Sequence, residues 1–139
     1  MRVLIDTNIL IDICFENGEY YKSSYGALLR LITNQNVCYI TSSCTTDIFY
    51  IIQKYCSKDE AKKRLFSLFN ICEVVPVTEK EICLALESKI DDYEDAIIES
   101  VAYTNNCDYI LTRNEKDFKK SVIKAITPKE INKKYKIQF

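Results

Sequence analysis

The sequence predicts an α/β fold, a three-layer α/β/α sandwich around a central parallel sheet of four to five strands. Short apolar segments rich in β-branched residues alternate with segments of helical apolar spacing, a pattern typical of a parallel sheet with helices on both faces. The 139 residues are 47% hydrophobic and 28% charged, which is enough to bury an ordinary core. Two Gly and two Pro leave no segment with linker composition, so we expect residues 1–139 to form a single domain.

The first half of the chain begins with a buried strand that stops at a carboxylate. The run Val3-Leu4-Ile5 is apolar, and Asp6 ends it before helical spacing starts at Ile9. Further on, Thr41-Ser42-Ser43 supplies the residue types that cap helix N-termini. The predicted elements are a strand at 2–5, helices at 7–15 and 20–34, a strand at 37–40, a helix from the caps through residue 55, and a helix at 57–70.

The second half continues the alternation. Thr78, with Glu81 three positions later, has the pattern of a capping box at a helix start. Pro128 suits the first turn of a terminal helix. The predicted elements are a strand at 71–77, helices at 79–88 and 94–105, strands at 108–112 and 122–126, and a terminal helix from residue 128.

The composition excludes several kinds of chemistry. His is absent, which removes the usual general base, the usual zinc ligand and every Ser-His or Cys-His nucleophile. The formal net charge of −1 gives no strong overall field for a polyanion, so nucleic acid would need a local basic patch. Any reaction must therefore depend on carboxylates, Lys, Tyr, Cys or a bound metal.

The cysteines predict a reducing environment. There are seven, without a CxxC pair, and Cys14, Cys38, Cys72 and Cys83 lie inside apolar stretches. We expect reduced, buried thiols rather than disulfides or zinc ligands. The chain opens directly into a strand pattern, without a signal peptide or a membrane-length apolar run, so we expect a cytoplasmic protein.

Three acidic residues follow predicted strands. Asp6 follows the first, Asp47 lies in the first turns of the helix after the second, and Asp117 lies just past the fourth. Because carboxyl ends of parallel strands and amino ends of the following helices share one edge of a sheet, these side chains should meet there. Each also has a structural alternative: Asp6 and Asp117 as caps, and Asp47 as a solvated acid favoured by the helix dipole.

A fourth acid, Asp95, opens the helix at 94–105. Ile98 and Ala102 continue along one side of that helix, so Asp95 lies at the margin of its buried face. Asp92 lies three residues earlier and could be close by, although a solvated, dipole-favoured acid is the alternative for it. A half-buried carboxylate is costly unless it is paired or metal-bound.

Convergent carboxylates point to a metal. They repel one another, and a divalent cation removes that repulsion. Oxygen ligands without His or thiolate favour Mg²⁺ or Mn²⁺ over zinc. Such a site suits phosphodiester hydrolysis, because the metal activates water and stabilises charge on the phosphate.

Four segments in this order resemble the PIN-domain ribonucleases, particularly the short toxin-like members related to VapC. They are I-D-T-N-I-L at 5–10, T-S-S-C-T-T-D-I at 41–48, D-A-I-I-E-S-V-A at 95–102, and C-D-Y-I-L-T-R-N-E-K-D-F at 107–118. A fifth, A-I-T-P-K-E at 125–130, resembles the closing strand and helix of the family. The resemblance covers essentially the whole chain and implies a PIN-like sandwich that cleaves RNA as a metal-dependent endonuclease.

The resemblance also implies roles for individual residues. Asp6 and Asp95 would be the principal Mg²⁺ or Mn²⁺ ligands, and Asp47 stands where the family usually has Glu, with a shorter reach. The fourth catalytic acid would be Asp117, since Asn114 occupies a position where many members carry Asp.

Four supporting residues and one arginine complete this assignment. Asn8 and Thr112 would orient ligands or the attacking water, beside Asp92 and the Asn114 carbonyl oxygen. Arg113 adjoins the proposed site and could hold a substrate phosphate in a bidentate contact.

The expected partners follow from the same resemblance. The chain would be the toxin of a toxin–antitoxin pair, a homodimer inhibited by a small antitoxin protein. Tyr20, Tyr21 and Tyr25 form a helical stripe that could bury against such a partner.

Two other functions stay open. The shorter acid at 47 and the amide at 114 could leave a catalytically weak or inactive module that binds RNA or protein. Phosphoacceptor domains and phosphatases also have acid-rich strand ends, but they usually need a Lys on a later strand end. Leu111-Thr112-Arg113 ends the fourth strand without one.

Overall fold

The computed structural model describes residues 1–136, and its strands and helices alternate as the sequence predicts. The strands are β1 (Arg2–Ile5), β2 (Val37–Thr41), β3 (Glu73–Val75), β4 (Tyr109–Leu111) and β5 (Lys124–Ile126). The helices are α1 (Thr7–Ile13), α2 (Tyr21–Thr33), α3 (Cys44–Tyr55), α4 (Lys58–Phe69), α5 (Glu79–Leu86), α6 (Tyr93–Thr104) and α7 (Pro128–Lys134). A short 3₁₀ turn, Glu115–Phe118, precedes β5.

The five strands form one sheet in the order β3-β2-β1-β4-β5, with every neighbouring pair parallel. β2 and β3 are added on one side of β1. The chain then crosses to the other side of β1, where β4 and β5 are added. The topological switch point therefore lies between β1 and β4, and crevices for ligands open at the carboxyl ends of such strands.

Helices cover both faces of this sheet, and β1 shows why. Val3 and Ile5 belong to one buried cluster, which includes side chains of α1, α2, α3 and α7. Leu4, between them, belongs to a second cluster formed with α5 and α6. Because successive strand residues point to opposite faces, one apolar run supplies both cores. The predicted three-layer α/β/α sandwich is confirmed.

Three strands are shorter than the sequence predicts: β3, β5 and β4, which lacks the predicted end residues Asp108 and Thr112. β3 starts only at Glu73, because the N–H groups of Ile71 and Cys72 donate to the Leu68 carbonyl at the end of α4. β5 starts at Lys124, because the Val122 N–H donates to the Glu99 carboxylate instead of to the sheet.

Most of the expected thiols are buried, but one prediction is wrong. Cys14, Cys38 and Cys72 lie in the core, as do Cys44 and Cys107. Cys83 is exposed, because it lies on the outer side of α5. Within residues 1–136, none of the helices has the length and apolar character needed to cross a bilayer.

Candidate active site

Asp6 lies at the switch point between β1 and β4, and its side chain joins the two strand ends. It is 8% exposed, and it both caps α1 and binds across the sheet. One carboxylate oxygen, Oδ1, accepts from the Thr7 N–H at 2.7 Å, and Oδ2 accepts from the Thr112 hydroxyl at 2.8 Å. Burial raises the pKa of Asp6, and these two hydrogen bonds oppose the rise. The capping role and a functional role therefore coexist in this residue.

Three of the four predicted acids share one pocket. Asp6, Asp47 and Asp95 line a cavity of about 190 Å³ beside the carboxyl ends of the strands. Each comes from a different element: the end of β1, the first turn of α3 and the first turn of α6. The convergence of Asp95 on this edge is thus visible in the geometry, although it does not follow a strand. The pocket also contains Thr7, Ser43, Cys44, Tyr93, Glu94, Ile97 and Ile98.

Among the carboxylates of residues 1–136, Asp95 has the largest pKa shift. Burial first, and then the negative charges of Asp92, Asp6, Asp117 and Glu94, raise its pKa to about 7. The side chain is half-buried, and the four like charges around it add to the effect of burial on its pKa. Such crowding is what a bound cation would relieve.

Two of the other predicted acids lie close to the pocket without lining it. Asp117 is exposed on the 3₁₀ turn, and its charge contributes to the raised pKa of both Asp6 and Asp95. Asp92 is the N-cap of α6, where its Oδ1 accepts from the Asp95 N–H at 3.0 Å. The expected structural role of Asp92 is therefore present, and its charge acts on Asp95 from that position.

Thr112 is the centre of the hydrogen bonds around Asp6. Its hydroxyl donates to Asp6, accepts from the backbone N–H of Asn114 at 3.0 Å, and faces the Asn8 amide at 3.4 Å. Thr112 is fully buried, so these contacts are shielded from water. They hold the Asp6 carboxylate in one orientation.

Arg113 is engaged with a partner that the sequence did not suggest. Its Nε and Nη2 donate to the two carboxylate oxygens of Asp12 at 2.7 and 3.1 Å, and its guanidinium lies 4.0 Å from the centroid of the Tyr20 ring. Asp12 also accepts from the Ser24 hydroxyl at 2.7 Å. The predicted phosphate contact stays a prediction, because two of the guanidinium nitrogens already bind Asp12.

We expect the Arg113–Asp12 pair to contribute measurably to stability. A double-mutant cycle with Arg113→Ala and Asp12→Ala should give a coupling free energy of about 1–3 kcal/mol, because the bidentate contact is mostly shielded from water. Urea unfolding measures it. The matched control is the more exposed Arg64–Glu60 pair on α4, which should give about 0.3–0.5 kcal/mol. Equal coupling in the two cycles would contradict the expectation.

The donor chemistry of the pocket fits a hard cation. Its available ligands are carboxylate and hydroxyl oxygens, since burial raises the pKa of the Cys44 thiol to about 11 and keeps it protonated. Over residues 1–136, however, no three Asp, Glu or Cys side chains converge tightly enough to form a ready-made metal cage. The arrangement suits a hard divalent cation held by one or two carboxylates with several waters.

The fold and the pocket together define a class of protein: an α/β/α sandwich with an acidic pocket at the switch point of its parallel sheet. Within that class the chain belongs to the PIN domain family, whose model matches residues 2–116.

Known proteins extend this similarity over nearly the whole chain. Ribonuclease VapC1 of Aquifex aeolicus (strain VF5) is 28% identical over 134 residues, which covers 93% of this chain and 92% of that protein. VapBC2 from Rickettsia felis, solved bound to a promoter DNA fragment, matches 91% of this chain and 98% of its own with a TM-score of 0.73 and 21% identity. A toxin–antitoxin complex from Klebsiella pneumoniae matches 91% and 97% with a TM-score of 0.64 and 25% identity.

Proposed function

We propose that this chain is a divalent-metal-dependent endoribonuclease that acts as the toxin of a toxin–antitoxin pair. The observation that carries the proposal is the pocket that Asp6, Asp47 and Asp95 share at the sheet switch point in a PIN domain. A relative of nearly equal length, named as a ribonuclease, supports RNA as the substrate.

In this proposal Asp6 and Asp95 hold Mg²⁺ or Mn²⁺, with Asp47 and Asp117 as further acids. When bound, the metal supplies an activated water and stabilises charge on the phosphodiester. Thr112, with Asn8, holds the Asp6 carboxylate in place. A phosphate oxygen can approach Nη1 of Arg113, since Asp12 occupies Nε and Nη2.

The purified chain should therefore cleave RNA with Mg²⁺ or Mn²⁺, and cleavage should stop when EDTA is added, because without a cation the crowded carboxylates repel the anionic phosphodiester. Gel analysis of a mixed RNA substrate measures the cleavage. Restoration by Mn²⁺ after chelation is the control against irreversible loss. Cleavage that continues in EDTA would refute the metal requirement.

A small antitoxin is the proposed partner, supported by relatives that were solved as toxin–antitoxin complexes. The five buried free thiols favour a reducing compartment such as the cytoplasm. The same cleavage assay tests the partner, since the protein encoded by a small adjacent gene should inhibit RNA cleavage stoichiometrically.

Half-exposed Tyr20 and Tyr25 leave part of the tyrosine stripe available for the expected homodimer contact.

A catalytically weak binding module is the second candidate, favoured by the exposed position of Asp47 and the lack of a ready-made cage over residues 1–136. Calorimetric titration with Mn²⁺ separates the two. No binding at millimolar Mn²⁺, together with retained RNA binding, would favour the module.

A further inference from the structure

Glu99 is a buried carboxylate outside the pocket, one helical turn beyond Asp95 on α6. It is 6% exposed. One oxygen accepts from the Ser88 hydroxyl at 2.5 Å, and the other accepts from the Val122 N–H at 2.8 Å. Burying a carboxylate is costly, and two strong hydrogen bonds offset that cost here. The side chain therefore connects three separate parts of the chain.

Each of these three parts carries an acid that either lines the pocket or raises the pKa of Asp95. The helix of Glu99 carries Asp95. Ser88, which also accepts from the Ile90 N–H at 3.1 Å, begins the segment that ends at Asp92, the N-cap of α6. Val122 ends the segment that begins at Asp117, five residues earlier.

The Asp117 segment is also anchored at its start, because the Asp117 N–H donates to the Asn114 carbonyl at 3.0 Å and the Asn114 N–H donates to the Thr112 hydroxyl at 3.0 Å. Phe118 is buried, and the Ser121 N–H donates to its carbonyl at 3.0 Å. On the surface, Lys120 lies 3.7 Å from Asp91, but both side chains are exposed and such pairs contribute little. The buried Glu99 carboxylate is thus the stronger connection between the two acidic segments.

We propose that Glu99 is a positioning residue that holds the Asp92 and Asp117 segments against α6, and so sets the cation affinity and cleavage rate of the pocket. The proposal rests on the proposed ribonuclease function. Its physical basis is that an outer residue which orients the inner ligands commonly changes metal affinity or activity by about 10–100-fold.

The matched control is Glu81, a second buried glutamate in the packed α5–α6 pair. It is 5% exposed and accepts from the Thr78 N–H and hydroxyl at 2.9 and 2.6 Å. These two donors lie at the start of its own helix, and a further contact, with Thr104, lies at the far end of α6 from Asp95, so Glu81→Ala removes a buried carboxylate without releasing either acidic segment.

The experiment compares Glu99→Ala, Glu99→Gln and Glu81→Ala with the wild type. Mn²⁺ affinity is measured by calorimetry, RNA cleavage by kcat and KM, and exposure of residues 88–95 and 113–123 by amide hydrogen exchange. Glu99→Ala should weaken Mn²⁺ binding and lower kcat by about 10–100-fold with little change in KM, and speed exchange in both segments. Glu99→Gln, whose amide oxygen still accepts from Val122, should recover most of this loss, and Glu81→Ala should match the wild type in Mn²⁺ binding.

Equal Mn²⁺ affinity, kcat and exchange in Glu99→Ala and Glu81→Ala would overturn the proposal. If Glu99→Ala does not fold, Ser88→Ala removes one of the two hydrogen bonds, and unchanged Mn²⁺ affinity and exchange in that variant would overturn it as well. A wild type that binds Mn²⁺ but does not cut RNA refutes the proposed function separately, while Mn²⁺ affinity and exchange still decide the role of Glu99.

Discussion

Replacing Asp6 with Asn should lower RNA cleavage by more than about 100-fold, because the loss of a direct ligand exceeds the 10–100-fold typical of outer residues. The fold should survive. The amide oxygen can still accept from the Thr7 N–H, and the amide nitrogen can donate to the Thr112 hydroxyl by displacing the longer 3.4 Å contact from the Asn8 amide. We expect the free energy of unfolding to change by no more than about 1 kcal/mol.

Initial cleavage rates at saturating Mn²⁺, with a thermal melt of each protein, measure this result. Asp59→Asn is the control, since Asp59 is an exposed acid in the first turn of α4, outside the pocket. Cleavage by Asp6→Asn within tenfold of the wild type would mean that Asp6 acts as a helix cap and not as a ligand.

Replacing Asp95 with Asn should abolish cleavage and stabilise the metal-free protein. The pKa of Asp95 is raised from 3.8 to about 7, so the folded state binds this proton more tightly than the unfolded state. The wild-type protein therefore loses folding free energy as the pH rises from about 4 to about 7. The Asp95→Asn variant does not titrate at this position, so it does not lose that free energy. The shift sets a ceiling of about 4 kcal/mol, which solvent screening of this half-buried group reduces to a gain of about 1–2 kcal/mol.

Urea unfolding of both proteins in EDTA at pH 5 and pH 8 measures this effect. The difference between wild type and Asp95→Asn should be larger at pH 8, where the wild-type carboxylate is ionised. Saturating Mn²⁺ should narrow or reverse the difference, because the cation binds only the folded wild-type site. An equal difference at both pH values would show that the pKa of Asp95 is not raised in the folded protein.

The sequence was most informative where a local pattern has one structural outcome. The apolar run before Asp6 predicted a buried strand, because a parallel strand covered on both sides needs apolar residues on both faces. The capping box at Thr78 and Glu81 predicted the start of α5 for a similarly local reason.

Contacts between distant segments had no such signal. Asp12 and Arg113 are 101 residues apart, and nothing near either residue indicates the other. The same holds for Glu99, which looks like an ordinary helix residue until its partners at 88 and 122 are known. Cys83 was wrongly predicted to be buried for a related reason. Apolar neighbours in sequence do not decide which face of a helix meets the core.

By itself, the sequence determined the alternation of strands and helices, the acids at element ends and the absence of His, because each depends on residue type and short-range spacing. Only the tertiary structure decided that Asp6, Asp47 and Asp95 share a pocket, that Asp117 acts on it from outside, and that Arg113 binds Asp12. The physical reason is that strand order sets which strand ends become neighbours. That order depends on packing across the whole sheet, which no local segment encodes.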